Sequence, residues 1–267
     1  MSDKITLMDF SDTLSEEMLP QALEQQHPVI VDCRDIEGCG RFCDPDAALQ
    51  IRQRISDLPC EGLHWIDSGD YHFATLFWCE KTEEPFDLLL FDHHTDMQPP
   101  RFEGLLSCGS WVLEMLSCGS SLANPMLRHV YMIGVSESLR CETVDFPQKV
   151  FMLSEEELAR MTAAEMVSWM EGCGADTSLP LYISIDKDAL SPADAATNWD
   201  QGSLRLDTLC EMLRQLRTGH RIIGADICGG APLNAIADLA ANCCSLRPVP
   251  ASELNLRADL ALINVIL

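Results

Sequence analysis

FDLLLFDHHTDMQPP, residues 86–100, is the stretch on which the reading of this chain turns. Leu88 to Phe91 is apolar at every position, and a short strand without alternation is one covered on both faces, as in a parallel sheet packed between helices. It runs directly into Asp92, His93, His94, Thr95 and Asp96, two carboxylates and two imidazoles within five positions. Open α/β folds keep their sites at the carboxyl ends of such strands. If the backbone stays extended, Asp92, His94 and Asp96 project to one side, and His93 and Thr95 to the other. That is the spacing of metal ligands.

Outward from this segment, strand-like runs recur with helical patterns between them: PVIVD at 28–32, GLHWID at 62–67, HVYMIGV at 129–135, LPLYISID at 179–186 and HRIIGADI at 220–227. Such alternation predicts a mostly parallel sheet. Helix starts are legible at Asp44 before Pro45, and at two capping boxes, Ser154 with Glu157 and Thr162 with Glu165. The final ASELNLRADLALINVIL reads as an amphipathic helix from Ser252, burying a stripe of Leu256, Leu260 and Ile263. No repeat and no linker rich in Gly, Pro or Ser interrupts the chain, so a single α/β domain over residues 1–267 is expected.

Composition narrows the function classes. Hydrophobic residues at 47% and charged residues at 22% are those of a folded globular protein. Against 42 acidic side chains stand 18 basic ones, a formal charge of -24 that opposes nucleic acid and anionic membrane surfaces as partners. Bound divalent cations would offset part of that charge. The 13 cysteines are scattered rather than framed and read as reduced thiols. The opening MSDKITLMDFSDTLSEE lacks the apolar core of a secretory signal, and no apolar run approaches the about 18–20 residues of a membrane span. A cytoplasmic protein is expected.

Two further segments end strands in ligand-type residues. LPLYISIDKDALSP presents Asp186 and Asp188, and IDSGDYHF places His72 at a helix start just after a strand. Together His72, Asp92, His94, Asp96, Asp186 and Asp188 offer four carboxylates and two imidazoles. They are too many for a tetrahedral zinc and lack the thiolates of a structural site. They suit a pair of oxygen-preferring divalent ions sharing carboxylates, manganese being a natural candidate. Each piece alone has an ordinary account: a D-x-H-x-D can cap a helix, a D-x-D can sit in a loop, and one histidine can simply pack. Their joint occurrence on separate strands points to metal.

These three segments, GDYH, FDHHTD and SIDKDALSP, in this order, resemble the signatures of the ureohydrolase superfamily: arginase, agmatinase and formiminoglutamase. The likeness extends loosely over residues 60–235. It implies a three-layer α/β/α fold with a mostly parallel central sheet, shared with deacetylases. It also implies hydrolysis of a linear C–N bond in a small-molecule substrate with two Mn(2+) ions, and, by analogy, a homo-oligomer. On this resemblance one ion is held by His72, Asp92, Asp96 and Asp186, the other by Asp92, His94, Asp186 and Asp188. The resemblance also implies that a hydroxide between them would attack a trigonal carbon and that Asp96 would pass a proton to the leaving amine. His93 falls outside the ligand set.

The departures are equally specific. Tyr71 precedes His72 where the family has Asp, and Cys108-Gly109-Ser110 stands where agmatinases carry His-Gly-Ser/Thr. Cys108 is therefore a candidate nucleophile or acid, with a small buried thiol as the alternative. Cys228-Gly229-Gly230-Ala231-Pro232 replaces the segment holding the guanidinium-gripping Glu of arginase-like enzymes. Without a bidentate carboxylate, arginine and agmatine are disfavoured. In ATNWDQGS, residues 196–203, Asn198, Trp199 and Asp200, with Gln201, are candidates for a substrate pocket or for a Trp-anchored turn. A zinc deacetylase of the same fold and a metal-binding protein without turnover stay open as alternatives. A DHH-type phosphoesterase would need its D-x-D ahead of the DHH, and here the order is reversed.

Overall fold

Every apolar run named above forms a strand, and four further strands accompany them. The computed structural model describes residues 4–16, 18–100, 102, 104–143, 145–230 and 249–267. Strand β1 is Ile5–Asp9, β2 Val29–Asp32, β3 Phe42–Cys43, β4 Leu63–Ile66, β5 Phe86–Phe91, β6 Leu106–Ser107, β7 Leu127–Val135, β8 Val150–Ser154, β9 Leu181–Asp186 and β10 Ile222–Cys228. Eight of them make one sheet in the order β2-β1-β4-β10-β9-β5-β7-β8, and every neighbouring pair is parallel. β3 and β6 pair antiparallel outside it. β1, β3, β6 and β8 are absent from the strands read in the sequence. β8 runs straight into the Ser154 capping box, and its letters read there as a helix start.

The order of strands makes the crevice. After β4 the chain jumps to β5, builds outward through β7 and β8, then returns to lay β9 and β10 into the gap. The carboxyl ends of β4, β10, β9 and β5 thus lie side by side at the reversal of strand order, the place where open sheets bind ligands.

Strand pleating sorts side chains between two cores. Leu88 and Leu90 of β5 join one with Val130 and Met132 of β7, while Leu89 and Phe91 join the other with Tyr131 and Ile133. Helices Pro45–Arg54, Ala74–Cys79 and Trp111–Leu116 cover the first face, and Ala163–Gly172, Leu206–Gly219 and Ala251–Ile266 the second. The result is three layers, α/β/α. In β9, Tyr182 faces the first core and Leu181, Ile183 and Ile185 the second. The first residue beyond β9, Lys187, is fully buried and pairs with Asp259 of helix Ala251–Ile266 at 2.9 Å.

That pair corrects the expected stripe of the last helix. It faces the sheet with Asn255, Ala258, Asp259, Leu262, Ile263 and Ile266, whereas Leu256 and Leu260 are only half-buried. Polar partners set its rotation: Trp65 Nε1 donates to Asp259 Oδ2 at 3.1 Å, and Asn255 exchanges two hydrogen bonds with the backbone of Ala196. Hydrophobic periodicity alone misses buried polar groups that must find each other. The helix starts are as expected. Asp44 accepts from the Ala47 N–H at 2.8 Å, and both capping boxes close. No described helix is long and apolar enough to cross a membrane, and the described cysteines are all free thiols.

Candidate metal centre

Backbone hydrogen bonds aim the acids. Asp92 Oδ1 accepts from the His94 N–H at 2.7 Å, Asp186 Oδ1 from the Asp188 N–H at 2.9 Å, and Asp188 Oδ1 from the His93 N–H at 2.9 Å. Each carboxylate has one oxygen tied to the chain and turns the other inward. The expectation of an extended segment from Asp92 to Asp96 needs correction. β5 ends at Phe91, and Asp96 is left-handed, with φ of 51°. Its side chain is brought back by a turn, with Trp111 Nε1 donating to Oδ2 and the Val112 N–H donating to its carbonyl at 3.1 Å. Asp188 likewise lies in a short 3-10 turn, Lys187–Ala189, beyond the end of β9. Asp67, the acid after β4, is consumed by loop backbone, accepting from the Phe10 and Ser11 N–H groups at 2.8 and 2.7 Å.

All six side chains singled out in the sequence converge. His72 Nδ1 lies 3.2 Å from Asp92 Oδ2, 3.0 Å from Asp96 Oδ2 and 3.6 Å from Asp186 Oδ2. His94 Nδ1 lies 2.9 Å from Asp188 Oδ2 and 3.4 Å from Asp92 Oδ1. Two donor groups, His72-Asp92-Asp96 and Asp92-His94-Asp188, therefore share Asp92. They line a cleft of about 270 Å³. His93 is buried outside both groups, with Nε2 3.8 Å from Asp200. A donor missed in the sequence is Cys228, whose Sγ donates to Asp186 Oδ2 at 3.2 Å and forms a third group with His72 and Asp186. Its signal was its place at a strand end, but the pairing of Cys228 with Asp186 across β10 and β9 is tertiary.

Two observations show that this donor set fits divalent cations. Asp92 Oδ2 is buried and has no hydrogen-bond partner, which a buried carboxylate does not tolerate without a counter-charge. The imidazoles are also presented as ligands. Ser184 Oγ donates to Asp226 Oδ1 at 2.6 Å, so its oxygen accepts from His72 Nε2 at 2.9 Å. In the neutral, ligand form of the ring the proton then sits on Nε2, and the Nδ1 lone pair faces the acids. His94 Nε2 is held in the same way by Asp200 Oδ1 at 3.1 Å.

The crowding of acids shifts their protonation. Burial, then the Asp92 charge, pushes the Asp96 carboxyl up to about 6. Asp186 and Asp188 are raised by the same causes, burial and a neighbouring carboxylate. Burial also acts on Asp92, but attraction to the neighbouring His72 and His94 rings outweighs it and holds that carboxyl below its usual range. Both imidazoles sit above their ordinary value although burial opposes it, His72 through Cys228, Asp92 and Asp96 and His94 through Asp188 and Asp92. A bound cation would displace the ring protons facing these acids, since ligation requires the deprotonated forms.

At the rim, Asp70 rather than Tyr71 is the acid that matters in GDYH. Its Oδ1 accepts from Asn198 Nδ2 at 3.0 Å, Trp199 Nε1 at 3.0 Å and Arg41 Nε at 3.2 Å, while Tyr71 stacks on Phe10. Arg41 lies over the Trp199 ring, 5.2 Å from its centroid. Neither Arg41 nor Asp70 was legible as a rim residue, because a short antiparallel pair outside the main sheet brings Arg41 there. Trp199 lines the cleft, Asp200 reaches His94, and Asn198 stands behind on Asp70. Gln201 turns away to the Leu190 and Ala195 carbonyls at 3.1 and 3.2 Å. A Cβ on Gly69 would lie 2.9 Å from Asp186 Oδ2 and 3.0 Å from Trp199, so this loop approaches only as glycine. Cys108 is in the cleft wall, but burial and the Asp96 charge push its thiol up to about 12, which opposes its reading as a nucleophile. Ala231 and Pro232 lie outside the described residues.

The sequence model of the arginase family matches residues 14–245. An uncharacterized protein of Thermotoga maritima is 28% identical over 233 residues, covering 84% of this chain and 79% of that protein. Among solved structures, formimidoylglutamase from Bacillus subtilis superposes with a TM-score of 0.69 at 14% identity, over 98% of this chain and 86% of that one. Proclavaminate amidino hydrolase from Streptomyces clavuligerus gives 0.68 at 16%, over 99% and 92%. Entamoeba histolytica arginase, in complex with L-ornithine, gives 0.69 at 13%, over 99% and 98%. At these identities the superpositions establish the fold.

Proposed function

From the premise that the chain belongs to the arginase family, we propose that it is a metal-dependent hydrolase of a linear C–N bond in a small molecule, working with two divalent ions such as manganese. His72, Asp92, Asp96 and Asp186 would hold one ion, and Asp92, His94, Asp186 and Asp188 the other. When bound, such ions activate water and stabilise charge developing on a trigonal carbon. The chain's own residues do the rest. Asp96, buried at the inner wall, would be placed to hand a proton to a leaving amine. Trp199 and the wall at Cys108 and Gly109 narrow the approach.

The substrate is a non-guanidine amide, amidine or formimino compound. The described residues that follow β10, Gly229 and Gly230, carry no carboxylate for a guanidinium, and the Arg41 guanidinium lies in the cleft lining. The observation that carries the proposal is the pair of donor groups sharing Asp92, whose Oδ2 is buried without a partner. Metal analysis after loading with manganese, beside an Asp92→Asn, Asp186→Asn double variant, tests it. The expected result is about two ions per chain, lost in the variant, followed by amine or ammonia release in a screen of amides, amidines and formimino compounds. Equal metal in both proteins, or none in either, would overturn it. A single tightly held zinc would fit a deacetylase of the same fold instead.

A further inference from the structure

The third donor group contains a sulfur. Cys228 ends β10 directly beside Asp186 at the end of β9, is fully buried, and puts Sγ 3.2 Å from the inward Asp186 oxygen. His72 Nδ1 lies 3.6 Å from that same oxygen. The backbone is shaped to allow it: Gly229 has φ of 93°, and a Cβ there would fall 2.5 Å from Asp186 Oδ1. Thiol, imidazole and carboxylate therefore converge beside the unpartnered buried oxygen of Asp92.

We infer that Cys228 is a ligand of the ion held by His72 and Asp186, which makes this end of the centre a mixed nitrogen, oxygen and sulfur site favouring zinc, iron(II) or cobalt over manganese. The inference rests on the reading that the centre binds metal, and it names which metal. On ligation the S–H bond gives way to a sulfur–metal bond, and the proton leaves to solvent. Thiolate donors select softer ions, whereas carboxylates and water alone suit manganese.

Titration of the protein with cobalt(II), followed by absorbance, tests it. Visible d–d bands accompanied by a near-ultraviolet sulfur-to-cobalt charge-transfer band are expected, and Cys228→Ser should keep the first and lose the second. Zinc affinity should drop in that variant by at least about tenfold, and manganese affinity by less. X-ray absorption at the zinc edge of the unaltered protein needs no variant and should show a sulfur neighbour at about 2.3 Å. Cobalt bound with d–d bands but no charge transfer, and no sulfur at the zinc edge, would overturn the ligand and leave the metal centre standing. A band that survives Cys228→Ser and disappears in Cys108→Ser would move the sulfur to the cleft wall and overturn it too. Failure to bind any divalent ion would bring down the proposed function, and this inference with it.

Discussion

A histidine ligates metal only through a bare nitrogen, and at His72 that nitrogen is chosen by residues that take no part in the donor groups. Asp226 accepts a hydrogen bond from Ser184, Ser184 accepts one from His72 Nε2, and Nδ1 is left to the acids. Ser184→Ala should therefore weaken metal binding by about 10–100-fold and cost about 1–3 kcal/mol of stability from a stranded buried N–H. Calorimetric metal titration beside urea denaturation would check both, and unchanged affinity would refute the relay. The six donors were legible because metal chemistry restricts residue type and spacing. Asp70 and Arg41 were not, because a salt bridge to a loop 29 residues away leaves no local pattern.

The element that most tightly constrains the centre is the turn after β10. Gly229→Ala would force a side chain onto Asp186 and the Lys187 backbone from a left-handed conformation. The conformation alone costs roughly 1–2 kcal/mol, and displacement of Asp186 should lower metal stoichiometry as well. Thr162→Ala, which opens a capping box on helix Ala163–Gly172, should cost a similar ~1 kcal/mol with metal content intact. Thermal denaturation with metal analysis of both variants separates local strain from loss of fold. If both lose metal alike, the turn has no special role. Caps and apolar strands were readable because their signals are local. The rotation of helix Ala251–Ile266 was not, since Asp259 and Asn255 answer to Lys187, Trp65 and the Ala196 backbone, all distant in sequence.

On the scale of the whole molecule, a formal charge of -24 and a cluster of buried acids make stability depend on pH. Burial pushes the Asp226 carboxyl up to about 6. A folded value above the unfolded one means that its contribution is whole below about pH 4 and lost as pH rises through about 6. The urea midpoint of metal-free protein should fall over that window, and Asp226→Asn should flatten the fall by an amount of order 3 kcal/mol. Metal should reverse the trend, because ligands bind ions only once deprotonated. A flat metal-free profile would contradict the burial of this acid. By itself the sequence determined the parallel α/β class and singled out the six side chains that converge, because apolar runs, caps and residue spacing are properties of short segments. Only the tertiary structure decided that β9 and β10 fill the gap between β4 and β5. That order sets Cys228 beside Asp186, and the separate β3–β6 pair brings Arg41 to Asp70, since contacts between distant segments are fixed by how the strands pack and not by any one segment's own preferences.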